Sequence, residues 1–240
     1  METLTIPSTA SLDELFTRQQ RKARQLKKST VAERIDRLKK LKNTLLDHSE
    51  AILGALYADF KKPVAEAELE ISPIIGEIDF AVANLEQWMP SQVVPTPEAM
   101  GGSAVTSKIV LEPKGVCLLI TPWNYPVLLT FRPLVSCIAA GNTAIIKPSE
   151  LTPHSATIIR QVVEAAFDEG EVAVIEGGSE VASELLKLPF HHIFYTGGSR
   201  VGKIVMKAAA NYLASVTLEL GVNRPLSLMI PLTWPMLPGK

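Results

Sequence analysis

Short apolar runs alternate with helix-like segments from Gly115 onward, and this alternation constrains the fold more than any other feature of the chain. The runs at 115–120 and 143–147 are almost continuously apolar, as is typical of strands buried on both faces. Three more strands are predicted at VAVIEGG, at 191–198 and at 215–220. Strands that alternate with helices at this spacing indicate βαβ units. We therefore predict an α/β fold with a doubly wound, mostly parallel sheet of about five strands.

Four helices are expected to connect these strands. They cover 134–140 (closed by Gly141), 154–167, 179–188 and 201–211. Gly141 favours a helix end because glycine readily adopts the left-handed backbone conformation found there.

The first hundred residues show helical periodicity instead. Thr30 and Glu33 have the spacing of a capping box, and Ser49 is predicted to cap a second helix. A third helix is predicted from Pro73 to Trp88, with a buried stripe of Ile74, Ile75, Ile78, Val82 and Leu85.

These patterns divide the chain into three parts. Residues 1–100 form an N-terminal helical region, which joins the α/β domain of residues 101–221 in one structural domain, and 222–240 form an irregular tail. At the junction, the Pro- and Gly-rich segment 89–102 is predicted to be a connector and 104–111 a half-exposed strand.

The composition limits the kinds of partner that are expected. A net charge of −1 gives no electrostatic basis for binding nucleic acid or an anionic membrane. The two cysteines, Cys117 and Cys137, lie in apolar runs, which indicates buried thiols in a reducing compartment. The chain lacks a signal-peptide pattern and an apolar run of about 20 residues, so we expect a cytoplasmic protein without a membrane segment. Its four histidines have no metal-site spacing.

Four strand ends carry unusual motifs, namely TPWNYP, KPSE, TGGSRVG and LELG. The carboxyl ends of parallel strands meet at one edge of a sheet, where α/β proteins bind their ligands. The four motifs therefore predict a single shared site.

Each motif also has a plainer interpretation. Lys147 and Glu150 can bind the hydroxyls of an adenosine ribose, or they form an exposed ion pair. Asn124 lies between two prolines and can act as a rigid oxyanion donor, or it only forms a turn. Glu219 is a candidate general base or an ordinary strand-end glutamate. The glycine-rich turn at 197–202 departs from the G-x-G-x-x-G fingerprint; it can receive a phosphate at the start of a helix, or it is a plain strand-to-helix turn.

Taken together, PWNYP, AAGNTAIIKPSE, FYTGGSRVGK and VTLELG resemble the aldehyde dehydrogenase superfamily in order and spacing. The resemblance covers residues 12–221 and is strongest to the class 3 branch, which includes fatty-aldehyde and coniferyl-aldehyde dehydrogenases. It implies oxidation of an aldehyde to a carboxylic acid with NAD or NADP, and homodimers among full-length relatives. By this resemblance, Asn124 is the oxyanion donor and Glu219 the general base.

The resemblance also implies a set of cofactor-binding residues along the four strand ends. These are Ile120, Thr121, Pro122, Trp123, Lys147, Ser149, Glu150, Gly178, Gly197, Gly198, Ser199, Gly202 and Leu220. Glu150 disfavours a 2′-phosphate and Lys147 tolerates one, so the choice between NAD and NADP stays open.

The family reaction needs a cysteine thiolate, which attacks the aldehyde before hydride transfer and hydrolysis of the thioester. The family places this cysteine farther along than the 21 residues that follow Glu219, and neither Cys117 nor Cys137 matches its position. We therefore expect that the catalytic domain is absent and that the 240-residue chain is inactive. A non-catalytic NAD-binding module and an unstable fragment without function are the alternatives.

The tail after Gly221 departs from the family pattern LELGGKSP. Shifted by one base, and with permitted third bases, its codons can read GGKSPFIVDDSADLADVAGK, which resembles a family member. We therefore hypothesise a single-base insertion near the codons for Gly221 and Val222, which resequencing of the gene would test.

Overall fold

The computed structural model describes residues 9–221. Its centre is a five-stranded parallel sheet, as predicted. The strands of that sheet are β3 (Val116–Ile120), β4 (Thr143–Lys147), β5 (Val172–Val174), β6 (His192–Gly197) and β7 (Ser215–Leu220). Two short strands that precede them, β1 (Gln92–Val94) and β2 (Ser107–Ile109), form a separate antiparallel ribbon.

Helices cover both faces of the five-stranded sheet. They are α1 (Thr9–Leu26), α2 (Val31–Asp47), α3 (Ser49–Phe60), α4 (Val64–Trp88), α5 (Leu128–Ala139), α6 (Pro153–Ala166), α7 (Ser179–Leu185) and α8 (Ser199–Ala210). None of these helices, within the described part of the chain, is long and apolar enough to cross a membrane.

Successive residues of the central strands pack into two separate cores, one on each face of the sheet. Cys117 and Leu119 of β3 pack with α2 to α6 on one face of the sheet. Val116 and Leu118 pack with α1, α7 and α8 on the other face. This division follows from the strand geometry, in which alternate side chains point to opposite faces. The N-terminal helices and the sheet therefore share their cores.

The strand order β5-β4-β3-β6-β7 contains a switch point between β3 and β6. The chain builds outward from β3 through β4 to β5, and then returns to the other side of β3. Ile120 is in register with Lys147 on one side and with Tyr195 on the other, so the carboxyl ends of these strands are level. A crevice opens at such a point because the loops leave it in opposite directions.

Three predictions about the N-terminal helices have different outcomes. The capping box of Thr30 and Glu33 is confirmed at the start of α2. The prediction that Ser49 caps a helix is wrong, because Ser49 is the first residue of α3 and the cap position belongs to His48. The helix predicted to start at Pro73 begins at Val64, with Pro73 inside it. Its buried stripe continues through Ala67, Glu70 and Ile71, and this packing outweighs the hydrogen bond that the proline removes.

Other boundaries also moved. The connector predicted at 89–102 contains β1, and the strand predicted at 104–111 is limited to β2, because these two edge segments pair only with each other. The helices predicted from 134 and 201 begin earlier, at Leu128 and Ser199, whereas the one predicted to reach 188 ends at Leu185. The tail of residues 222–240, with the frameshift hypothesis, lies outside the described residues.

Candidate functional site

A cleft with a volume of about 1140 Å³ lies at the carboxyl edge of the sheet, where β3, β4, β6 and β7 end. Residues of all four strand-end motifs line it. The predicted residues that line it are Ile120, Thr121, Pro122, Trp123, Asn124, Lys147, Ser149, Glu150, Gly197, Gly198, Glu219 and Leu220.

The turn after β3 is anchored at its first residue. The backbone N–H of Thr121 donates to the Lys147 carbonyl over 3.1 Å, and its hydroxyl receives a 2.8 Å hydrogen bond from Thr130 of α5. Beyond this anchor the chain is exposed at Trp123 and Asn124. The side-chain amide of Asn124 has no hydrogen-bond partner among residues 9–221, so it is free to donate into the cleft.

Lys147 and Glu150 form an ion pair in the cleft, with 2.7 Å between Nζ and Oε2. The two side chains differ in exposure, since 4% of Lys147 and 47% of Glu150 is accessible. Partial burial opposes ionisation of Glu150, but the hydrogen bond and charge of Lys147 outweigh it and lower the pKa of the carboxyl. A half-exposed carboxylate beside a buried ammonium can accept hydrogen bonds from vicinal hydroxyls while the ammonium donates to the same group.

At the end of β6, the backbone of Gly197 and Gly198 borders the cleft without side chains. A Cβ at Gly197 would collide with the Tyr195 ring, whose hydroxyl donates to the Gly198 carbonyl over 3.2 Å. A Cβ at Gly198 would meet no atom within 4 Å, so that side of the turn is open. The turn leads directly into α8, whose first N–H groups and dipole favour an anionic group.

Glu219 lies on β7, in register with Thr196 of β6, and its side chain is exposed at the cleft. The hydroxyl of Thr196 also belongs to the cleft and is buried without a hydrogen-bond partner among the described residues. A buried hydroxyl in this state is costly unless another molecule supplies a partner.

Three predicted site residues lie just outside the cleft wall. Gly178 precedes Ser179, which does line the cleft, and Ser199 follows Gly198 at the start of α8. Gly202 packs one turn later, where a Cβ would lie 3.0 Å from the Leu220 side chain. The missing side chain at Gly202 thus allows α8 to pack closely against β7.

The sequence interpretation missed one wall of the cleft. Four residues of α5 line it, and their spacing places them on one helical face: Leu129, Arg132, Pro133 and Ser136. Ser179 and Ala182 likewise share a face of α7. Leu129, Arg132 and Pro133 precede the helix predicted from 134, and the sequence does not reveal which helix face turns toward the site.

Both thiols lie away from the cleft. Cys117 is buried in β3 and Cys137 in α5, and neither is among the residues that line the cleft. A hydrogen bond with Cys117, together with burial, raises the pKa of Cys137 well above its ordinary value. A thiol in this environment is a poor nucleophile because the reactive form is the thiolate.

Comparison with known proteins gives a consistent result. A model of the aldehyde dehydrogenase family matches residues 4–229. The Bacillus subtilis (strain 168) protein AldX is 43% identical over 215 residues, which is 89% of this chain and 48% of AldX. Aldehyde dehydrogenase family 3 member A2 of Macaca fascicularis is 42% identical over 80% of this chain and 39% of its own length.

A solved structure shows the same likeness in three dimensions. The substrate-bound state of Staphylococcus aureus AldH superimposes with a TM-score of 0.83 at 40% identity, covering 88% of this chain and 46% of AldH. The chain therefore spans about half the length, or less, of the curated relatives that it matches.

Proposed function

This chain belongs to the aldehyde dehydrogenase family, on its class 3 side, and from that premise we propose that its cleft is the nicotinamide-dinucleotide site of an aldehyde-oxidising enzyme. The proposed reaction converts an aldehyde to a carboxylic acid with NAD⁺ or NADP⁺ as the hydride acceptor. One observation carries the proposal, namely that the ends of β3, β4, β6 and β7 meet in a single cleft.

The residues present fit such a cofactor. The cleft is large, the glycine backbone after β6 is open, and the buried Thr196 hydroxyl lacks a partner within residues 9–221. When bound, the dinucleotide would supply a hydride acceptor. We propose that Lys147 and Glu150 bind its adenosine ribose, and that Gly197 and Gly198 admit its pyrophosphate.

Two residues of the cleft suit the chemistry of the aldehyde carbon. The Asn124 amide can donate a hydrogen bond to an oxygen that gains negative charge. The Glu219 carboxylate can accept a proton from water or from a thiol. Both side chains are exposed at the same cleft, as these roles require.

We further propose that the 240-residue chain binds the dinucleotide without oxidising aldehydes by itself. The described residues offer only Cys117 and Cys137, and both are buried outside the cleft. The tail of 222–240 contains no cysteine.

Calorimetric titration of the whole 240-residue chain with NAD⁺ and NADP⁺ tests the proposal. We expect saturable binding, with NAD⁺ the tighter ligand because the Glu150 carboxylate repels a 2′-phosphate. Glu150→Gln should weaken NAD⁺ binding by roughly tenfold, since hydrogen bonds to a charged group are lost, and should narrow the preference over NADP⁺.

Glu50→Gln removes the same charge from an exposed position on α3 and serves as the control, with no expected change in either affinity. Absence of binding to both dinucleotides by the unaltered, folded chain would contradict the proposed function.

A further inference from the structure

The carboxylate of Glu70 is fully buried, although it lies on α4 and outside the cleft. Its Oε2 atom accepts hydrogen bonds from the backbone N–H groups of Val127, over 3.0 Å, and Leu128, over 3.3 Å. These residues begin α5, whose cap position, Val127, has no side chain able to accept a hydrogen bond. Glu70 therefore caps α5 from another helix, where its charge also complements the helix dipole.

The ammonium of Lys62 is in direct contact with the other oxygen of Glu70, and the Lys62 side chain is 10% exposed. It lies 4.4 Å from the centre of the Tyr125 ring, and it donates to the backbone carbonyl of Asn124 over 3.5 Å. Phe60 also holds this segment, because its ring stacks on the Trp123 ring with 6.4 Å between the two centroids. One cation thus touches both Asn124 and its neighbour.

These contacts hold a short segment that we call the amide loop, residues 123–128. Pro122 and Pro126 fix its backbone angles locally, but they do not fix where the loop lies relative to the sheet. That position is set by Phe60, Lys62 and Glu70, which belong to the α3–α4 region.

A buried ion pair is weak evidence for stability, since apolar side chains of similar volume often stabilise a core as well or better. The pair does fix the orientation of the loop, because each of its hydrogen bonds ends at a particular backbone atom of the loop. Such contacts are better suited to holding a loop in one position than to filling space in a core.

We propose that Lys62 and Glu70 are positioning residues that set the direction of the Asn124 side-chain amide and the position of Trp123 at the cleft. The inference rests on the proposed function, in which Asn124 faces the reacting oxygen and Trp123 borders the dinucleotide. Lys62 and Glu70 do not line the cleft, so in this proposal they act only through the amide loop.

Glu70→Ala tests the capping half of the inference by amide hydrogen exchange in the 240-residue chain. The Val127 and Leu128 amides should exchange roughly 10- to 100-fold faster, as expected when a charged hydrogen-bond acceptor is lost. Amides of β4 and β6 should keep their rates. Unchanged exchange at Val127 and Leu128 would overturn this half.

The double variant Lys62→Met/Glu70→Gln separates an effect on the position of the amide loop from an effect on protein stability. It also tests the inference if Glu70→Ala does not fold. The glutamine oxygen can still accept from Val127 and Leu128, and no buried charge is left unpaired. We expect thermal stability close to that of the unaltered chain. The nuclear magnetic resonance signals of the Trp123 indole and the Asn124 amide should nevertheless shift and show faster local motion, and the Kd for NAD⁺ should rise about fivefold.

Lys40→Met/Glu68→Gln makes the same charge changes at exposed positions and should leave the signals and the Kd unchanged. The inference fails if the Lys62→Met/Glu70→Gln chain keeps the original Trp123 and Asn124 signals. If the unaltered chain does not bind NAD⁺, the proposed function fails instead, while the resonance and exchange measurements still decide whether the pair positions the loop.

Discussion

The local structure around Gly141 determines which residue type this position accepts. It follows α5 with a φ of +83°, in the region that side chains with a Cβ avoid. The guanidinium of Arg34 packs against it and donates to the Ala139 carbonyl over 3.0 Å, at the end of the helix. A buried arginine thereby satisfies a helix terminus that has no intrahelical partner.

Gly141→Ala is expected to destabilise the protein. The new Cβ would be strained at this φ and would lie 2.7 Å from the Arg34 guanidinium carbon. We expect a loss of about 1–3 kcal/mol in the free energy of unfolding, measured by urea denaturation.

Gly54→Ala is the matched control and should have the opposite sign. Gly54 lies inside α3 with open space around it, so alanine should stabilise by roughly 0.5–1 kcal/mol. A Gly141→Ala chain as stable as the original would contradict the role assigned to this position.

At the scale of elements, the helices that follow β3 and β4 depend on carboxylates from the N-terminal helices. Glu70 caps α5, and Asp59 caps α6, whose own cap residue Thr152 forms no side-chain bond to the helix. Asp59 accepts from the Ser155 N–H over 2.8 Å, from the Ser155 hydroxyl over 2.7 Å and from the His154 N–H over 3.2 Å. The N-terminal helices thus hold the starts of the helices that follow β3 and β4.

Asp59 should make the stability of the protein depend on pH. Burial opposes its ionisation, but the hydrogen bonds from Ser155 and His154 outweigh burial and lower the pKa of the carboxyl. A lowered folded-state pKa means that the contribution is fully present above the unfolded-state value of about 3.9 and is lost as the pH falls through the folded-state pKa.

Asp59→Ala should therefore cost about 1–2 kcal/mol near pH 7, as for other lost helix caps. Thermal melts of both chains at several pH values measure the difference, which should shrink on acidification below the unfolded-state pKa. Asp47→Ala, at an exposed position, should show no such trend. A difference between the Asp59→Ala and original chains that does not vary with pH would argue against the cap.

At the scale of the whole molecule, core packing keeps the two thiols away from the cleft. Both pack in the core that α2 to α6 form with one face of the sheet, and the cleft opens at the carboxyl edge. Access to either sulfur therefore requires local or global unfolding.

The native chain should react slowly with a thiol-specific chromogenic reagent at neutral pH, and both cysteines should react promptly in denaturant. NAD⁺ and an aldehyde should yield no thiol-dependent NADH. A Cys117→Ser/Cys137→Ser chain provides the baseline for both assays. Fast native labelling of one thiol, with NADH formation that this variant lacks, would show that a described cysteine serves as the nucleophile.

The sequence by itself determined the order of the strands and helices along the chain from Gly115 onward. It also determined which types of polar side chain stand at the strand ends. The runs at 115–120 and 143–147 are decisive because a strand buried on both faces is predominantly apolar along its length. The rule that ligands gather at carboxyl ends then brought Asn124, Lys147, Glu150 and Glu219 to one edge, before any contact was known.

Only the tertiary structure decided which helix faces complete the cleft and what holds the amide loop. Lys62, just before α4, and Glu70, on α4, are far from Asn124 in sequence, and charged residues in such a region are expected to be solvated until packing buries them. The same applies to the start of α4, where burial of Glu70 and Ile71 overrides the signal of Pro73. Local patterns record what a segment can form, whereas burial against distant segments determines which of those forms is stable.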